Sequence, residues 1–401
     1  MTSEWHEVPL RELVGYISKG IAPSYAEEAS ETTIRVLNQK CNRNFRISYG
    51  DSRLHDTLKK KVPPERYVKP DDILINSTGA GTAGRIAQIE DVPSTTTIDG
   101  HMILIRSNGK VTQKFLGYAL KAHQWEVLQL DEGSTGQTEL NRDRLLDEIM
   151  INYPVSLDEQ NAIVGTLESI DRKLIVNEQL NDNLEQQAQS YFQELFVDNA
   201  DPEWTTGTIS DLGAVVGGST PSKAKPEYYT ESGIAWITPK DLSINKSKFA
   251  SHGENDITEL GLKNSSAVIM PEGTVLFSSR APIGYIAIAT GEVTTNQGFK
   301  SVVPKPEIGT PFVYFFLKNT LPVIEGMASG STFKEVSGST MKKVPAVIPD
   351  AETLAKFSNF CAPIFAQQRI LEEQNQSLAI LRDNLLPKLM SGEIDVSDVQ
   401  L

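Results

Sequence analysis

Ser156-Leu157-Asp158-Glu159-Gln160 opens a run that continues to Phe196 with no proline and one glycine, Gly165. A serine with two acids in the turn that follows is a helix start: the hydroxyl accepts from a free backbone N–H, and the acids face the positive end of the helix dipole. Ile163, Leu167, Ile170 and Leu174 then step by 4, 3 and 4, the spacing of a coiled-coil seam. The seam meets Asn177 and Asn181 and recovers at Leu184, Ala188, Tyr191 and Leu195, while Val176 and Leu180 offer a competing stripe. A helix of about 40 residues is roughly 60 Å long, several times the typical globular helix. It needs a partner along its length.

The C-terminal segment supplies one. Ile364, Leu371, Leu378 and Leu385 step by seven and Leu389 follows four later, with Gln368, Asn375 and Arg382 at intervening seam positions. Pro363 and Pro387 are expected to start, kink or end this helix locally. Polar seam residues reduce stability but fix register.

The rest of the chain repeats itself with a period near 200. Trp5 and Trp204 each open a unit. Asp72-Ile73-Leu74-Ile75-Asn76-Ser77 answers Gly273-Thr274-Val275-Leu276-Phe277-Ser278, and Ala83-Gly84-Arg85-Ile86-Ala87 answers Ile283-Gly284-Tyr285-Ile286-Ala287. Thr96-Thr97-Ile98-Asp99-Gly100 answers Thr294-Thr295-Asn296-Gln297-Gly298, and Gly133-Ser134-Thr135 answers Gly330-Ser331-Thr332. Short β-rich runs bounded by Gly/Ser/Thr clusters read as strands (72–77, 86–89, 102–106, 274–278, 286–289, 300–303), and 115–127 and 311–320 as short helices. The expected fold is α+β: two similar α/β globular domains joined by two long antiparallel helices, a coiled coil with an internal pseudo-two-fold repeat. The segments are 1–155, 156–200, 201–349 and 350–401. Two heads a few tens of ångströms apart on such a rod would match half-sites a turn of DNA, roughly 34 Å, apart.

With 401 residues, 39% of them hydrophobic, the chain can bury several cores. It has no apolar run long enough to span a membrane, and Met1-Thr2-Ser3-Glu4-Trp5-His6 lacks a secretory pattern. Cys41 and Cys361 alone form neither a disulfide framework nor a metal knuckle, which suits a reducing cytoplasm. The net charge of −14 argues against a nucleic-acid partner until it is located. Residues 156–200 hold nine acids and two bases, and residues 350–401 eight and four, so the two helical segments carry most of the excess. From Arg35 to Lys69 there are ten bases and three acids.

Enzyme signatures are missing. Gly133-Ser134-Thr135-Gly136-Gln137 lacks the lysine of a phosphate-binding loop, and the five histidines are scattered and form no metal-binding motif. Asn152-Tyr153-Pro154 reads as a strand end, and Cys41 as a packed, inert thiol.

Leu381-Arg382-Asp383-Asn384-Leu385-Leu386-Pro387-Lys388-Leu389-Met390-Ser391-Gly392-Glu393-Ile394 resembles the C-terminal tail of type I restriction–modification specificity (S) subunits. Gly217-Gly218-Ser219-Thr220-Pro221-Ser222, followed by Tyr228-Tyr229 and Ile234-Ala235-Trp236-Ile237-Thr238-Pro239-Lys240-Asp241-Leu242, resembles the opening of a target recognition domain in that family. So does Leu276-Phe277-Ser278-Ser279-Arg280-Ala281-Pro282-Ile283-Gly284 leading to Thr295-Asn296-Gln297-Gly298-Phe299. The first domain departs: it lacks the Gly-Gly-Ser-Thr-Pro opening, and Asn76-Ser77-Thr78-Gly79 stands where Phe277-Ser278-Ser279-Arg280 does. The resemblance implies a non-catalytic, DNA-binding specificity subunit in which each target recognition domain reads half of a split double-stranded site. It implies two modification (methyltransferase) subunits as partners, with restriction (endonuclease/translocase) subunits able to join, and no membrane. S-adenosylmethionine for DNA methylation, and ATP with Mg for cleavage, would belong to those partners.

Phosphate contacts need mobile cations, which makes Lys40, Arg43, Arg46, Arg53, Lys59, Lys60 and Lys61 the first candidates. Base readout needs short polar or forked side chains on loops at strand ends. Asn76, Ser77, Thr78, Arg85 and Gln137 are candidates in the first head. In the second they are Thr220, Ser222, Lys223, Lys240, Ser279, Arg280, Asn296, Gln297 and Lys334. Tyr228, Tyr229 and Trp236 fit a core better than a base-stacking platform. Two other readings compete: a tandem binder of a protein or sugar on a coiled-coil scaffold, and a nuclease with a dispersed carboxylate site.

Overall fold

A computed structural model describes residues 4–79, 81–132, 139–330 and 334–396. The chain divides into two compact units, Met1–Leu174 with Leu378–Leu401, and Ile175–Ser377. Each holds one globular head and part of both long helices. The central helix is Leu157–Gln193 and the C-terminal helix is Ala351–Met390, 37 and 40 residues long.

In the first unit the head is built on an antiparallel sheet in the order Val14–Lys19, Met102–Ser107, Ile73–Asn76, Ile86–Gln88. In the second, Gly213–Gly217, Lys300–Pro304, Val275–Ser279 and Ile283–Ala289 follow the same order, with Phe249–Ala250 added in parallel at the edge. A parallel pair recurs as well: Thr96–Ile98 beside Thr33–Leu37, and Thr294–Thr295 beside Trp236–Ile237. The repeat expected from sequence is therefore a repeat of topology. One detail of its alignment changes. Ile75 pairs with Ile86 and Phe277 with Ile286, so Ile75, not Asn76, occupies the place of Phe277. Both are fully buried. These central strands are buried on both faces, so their register is carried by the ladder and not by an alternation of apolar and polar residues.

Both helices bury much of the expected seam, with Leu184, Tyr191, Leu195, Leu378 and Leu385 partly buried. Ile163 and Leu167 are buried in the first head's core and Ile170 and Leu174 are buried further along the helix, whereas Val176 and Leu180 are exposed. Within the second unit Asn177 Nδ2 donates to Asn375 Oδ1 (2.9 Å) and Gln368 Nε2 to the Asn181 carbonyl (3.2 Å), while Tyr191 meets Phe360. Partner numbers fall as helix numbers rise, so the pairing is antiparallel. Pro363 and Pro387 neither start nor end the C-terminal helix, which begins at Ala351 and runs through both. Gly392 ends the turn that follows it in the left-handed conformation (φ +76°), with Trp5 against it. The short helices also shift: 115–127 is two helices, Gln113–Ala122 and Gln124–Leu128, and 311–320 extends to Thr310–Gly326 with Pro322 inside.

Each head grips one carboxylate of the central helix. In the first unit Tyr118 Oη (2.8 Å), Lys121 Nζ (3.3 Å) and Arg382 (3.1 Å) converge on Asp171. In the second Lys248 Nζ (2.7 Å), Tyr314 Oη (3.2 Å) and Lys318 converge on Glu185. Lys248, 7% exposed, also donates to Gln368 (2.8 Å) and lies over the rings of Phe365 (3.5 Å) and Tyr314 (4.4 Å). Burial pushes this amine down to about 8. Burial also works to raise Glu185, but Lys248 and Lys318 outweigh it and hold the carboxyl at about 2. Two cations share one carboxylate, so pairing wins on the acid while burial wins on the deeper lysine.

Candidate nucleic-acid interface

In the second head four loops meet beyond the end of the Val275–Ser279 strand. The turn after Gly217 is pulled against residues 295–296: Ser219 N donates to the Thr295 carbonyl (2.8 Å). A Cβ at Gly218 would lie 1.9 Å from the Asn296 oxygen, so only glycine fits there. This places Thr220 to hydrogen-bond Gln297. Lys300 reaches back to the Gln297 carbonyl (3.1 Å). Arg280 and Lys300 both approach Glu335, at 3.5 and 3.7 Å. Burial lowers the Lys300 amine against the pull of Glu335.

The first head repeats this arrangement with other side chains. Leu140 N donates to the Ser77 carbonyl (2.7 Å) as Val336 N donates to that of Ser279 (2.9 Å). Thr78 bridges Glu139 as Arg280 bridges Glu335. Glu139 takes an ion pair from Lys19, and Thr78 Oγ1 hydrogen-bonds His101 Nδ1 (2.7 Å). The tight opening survives too, although its motif is absent: a Cβ at Gly20 would lie 2.1 Å from the Asp99 oxygen.

The sequence candidates separate in three ways. Thr220, Gln297 and Arg280 gather at the loop cluster with Asn296, whose side chain accepts from Gly298 N (2.8 Å). Asn76, Ser77 and Ser279 are fully buried, which corrects their assignment as base readers. Asn76 donates to the Gln39 carbonyl (3.1 Å), Ser77 to that of Gly100 (3.5 Å) and Ser279 to that of Gly298 (3.1 Å). They hold the loops on which exposed groups stand. Ser222, Lys223 and Lys334 are exposed. Lys240 is exposed and paired with Glu254 (2.6 Å). Gln137 lies outside the described residues.

The basic stretch of the first head also divides. Lys40 and Arg43 sit on the 38–43 turn, and Asn42 Nδ2 ties that turn to Asn76 (3.2 Å) and the Arg85 carbonyl (2.8 Å). Lys40 and Arg43 are exposed on this turn, and the Arg85 guanidinium donates to the Gly81 carbonyl (3.0 Å). Arg46 is partly buried on the short strand that pairs with Asn42–Arg43. Arg53, Lys59, Lys60 and Lys61 form a second group on the strand Arg53–Asp56 and the turn after it. There Arg53 stacks on Tyr25 (3.3 Å), Lys59 pairs with Asp56 (3.7 Å), Lys60 donates to the Ala22 carbonyl (2.9 Å) and Lys61 is exposed. Trp236 is buried and Tyr229 spends its hydroxyl on the Pro221 carbonyl (2.6 Å), so both act as core. Burial raises the Cys41 thiol, as expected for an inert cysteine.

Sequence reasoning missed Glu139, Glu335, Lys19, Lys300 and His101. A signal was present: a glutamate followed by an apolar residue stands a few positions after Gly-Ser-Thr in both copies. Among the described residues no cluster suited to a metal ion occurs, and no helix is long and apolar enough to cross a membrane.

The family model of the type I restriction modification DNA specificity domain matches residues 2–186 and again 202–381. The type I restriction enzyme MjaIX specificity subunit of Methanocaldococcus jannaschii is 41% identical over 169 residues, 42% of this chain and 39% of that protein. The HindI specificity subunit of Haemophilus influenzae is 28% identical over 194 residues, 48% of this chain and 42% of that protein. The matched stretches thus span about two fifths of those relatives. The crystal structure of a type I restriction-modification system S subunit from M. genitalium superposes with a TM-score of 0.60 at 17% identity, covering 97% of this chain and 99% of that one. That likeness is one of fold.

Proposed function

The chain belongs to the family of type I restriction modification DNA specificity domains, and on that premise we propose that it is the sequence-reading subunit of a type I restriction–modification complex. Each head reads one half of a split duplex site. The observation that carries this reading is the twofold occurrence of the family domain, each copy presenting the same loop cluster with different side chains. Thr78 with His101 in one head and Arg280 with Gln297 in the other present different donors and acceptors to a groove, which is what two unlike half-sites require. The exposed cations of the 38–61 stretch supply sequence-independent phosphate contacts.

The two unbroken helices serve as the spacer, and their acidic outer faces dock two methyltransferase subunits, with restriction subunits able to join. The chemistry is the partners': adenine methylation with S-adenosylmethionine, and cleavage with ATP and Mg where a restriction subunit is present. This chain contributes recognition and no catalytic group, and works in the cytoplasm where its DNA is. Methylome sequencing of cells carrying the chain with its modification subunit tests the reading. A split, adenine-containing motif is expected; an unsplit motif, or none, overturns it.

A further inference from the structure

Glu139 and Glu335 occupy equivalent positions in the two heads, each fixed by the same backbone bridge to the strand end. Each is half-exposed and each takes a cation of the loop cluster: Lys19 in the first head, Arg280 and Lys300 in the second. The cation is not the same residue. Lys19 faces Ile103 across a strand pair, and Gly217 faces Lys300 across the equivalent pair, so the lysine has changed strands while its charge has stayed beside the carboxylate. Preservation of the charge arrangement without preservation of the residue points to the pair itself as the useful object.

Resting on the proposed DNA reading, we infer that Glu139 and Glu335 are built-in competitors for phosphate or base edges. Each carboxylate holds the reading cations of its own head until a duplex displaces it. A cation already paired gains less from an arbitrary phosphate, because the carboxylate must first be released. Only a site that offers further contacts, such as a forked guanine acceptor for Arg280, repays that release. The glutamates therefore lower non-specific affinity more than specific affinity and sharpen discrimination. They touch no reacting atom and act as specificity-determining residues.

The test is a salt titration of the full chain on a mixed-sequence duplex and on the duplex carrying its methylation motif, comparing wild type with Glu139→Gln, Glu335→Gln and the double variant. Glutamine keeps the shape and removes the charge. Each single variant is expected to bind the mixed duplex about two- to fivefold more tightly at low salt, the range that one exposed pair supplies. Its salt dependence should steepen by about one released counterion per freed cation. Affinity for the motif duplex should change less, so the specific-to-non-specific ratio falls. A purely structural role would instead lower the melting temperature and weaken binding to both duplexes. Unchanged affinity and slope on the mixed duplex, or weakened binding to both, overturns the inference while leaving the DNA reading intact. A wild-type chain that binds neither duplex at any salt overturns the DNA reading itself.

Discussion

The first head is tied to the central helix through Asp171 and the second through Glu185, and the two ties draw their second cation from different elements. Asp171 receives a tyrosine and two cations, one of which, Arg382, comes from the C-terminal helix. Glu185 receives a tyrosine and two lysines, and one of these, Lys248, is sunk among aromatic rings. In the first tie Lys121 is also largely buried, over the rings of Phe45 (5.0 Å) and Tyr118 (5.4 Å), and burial lowers its amine. In the second, charge is taken out of water and repaid by a single shared carboxylate plus the faces of Phe365, Tyr314 and Phe315. The fold repeats the tyrosine and the buried lysine of the joint while exchanging an arginine of the C-terminal helix for a lysine of the head, and Lys248, the deeper of the two lysines, makes the second joint the more sensitive to loss of its carboxylate.

The largest effect should come from breaking that joint. Glu185→Gln leaves the Lys248 ammonium buried without a counter-charge, which costs about 3–5 kcal/mol, read by denaturant unfolding. The paired change Glu185→Leu with Lys248→Met should recover most of the loss, since apolar replacements of similar volume often substitute for buried ion pairs. Equal losses from the single and paired variants would show that packing, not charge, dominates. Asp171→Asn should cost less, because Arg382 keeps Asp383 as a counter-charge at 2.8 Å.

Acid should reveal the same contrast. The unfolded Glu185 carboxyl titrates near 4.5 and the folded one at about 2. Between these values the unfolded chain binds more protons, so the stabilisation is complete above pH 4.5 and is lost as pH falls towards 2, about 3 kcal/mol in all before the discount for partial exposure. Asp171 is lowered as well, by Lys121, Tyr118 and Arg382 against a burial that works to raise it. Melting temperature against pH should flatten on its acid side in Glu185→Gln. An unaltered profile would remove Glu185 from the account.

At the loop clusters Arg280→Ala should cost about 1–3 kcal/mol at one half-site of the methylation motif and leave the other half unchanged. Thr78→Ala should relax the opposite half by less, since a hydroxyl carries one hydrogen bond where a guanidinium carries a fork. Equal loss at both halves would break the two-reader model. The smallest of these effects, about 1–2 kcal/mol by thermal unfolding, belongs to Gly392→Ala. The new methyl would force a left-handed residue and meet the Trp5 ring at about 2.9 Å. An unchanged melting temperature would mean that the tail does not anchor the first head.

The repeat, the helices and their seam were legible in the sequence, because heptad spacing and strand–turn alternation are local patterns. Three things were not. The prolines at 363 and 387 read as local starts, kinks or ends, yet the helix begins before both and ends after both. Gly20 shares no motif with Gly218, yet both meet a carbonyl oxygen from a parallel-paired segment, a contact that exists only after folding. Asn76, Ser77 and Ser279 had the chemistry of readers but lie at the end of a strand that is buried on both faces, which a polar sequence at a strand end does not announce. Arg280 and Gln297 were found because the second copy states its motif plainly.

Lys248 offers a practical handle. Its ε-amine is enclosed by Phe365, Tyr314, Gln368 and Glu185, so an acylating reagent added to the folded protein should modify the surface lysines and pass over this one. Peptide mapping of that footprint would then time the opening of the second unit: position 248 becomes labelled only when its head leaves the helices, giving a covalent clock for local unfolding at a single nitrogen atom.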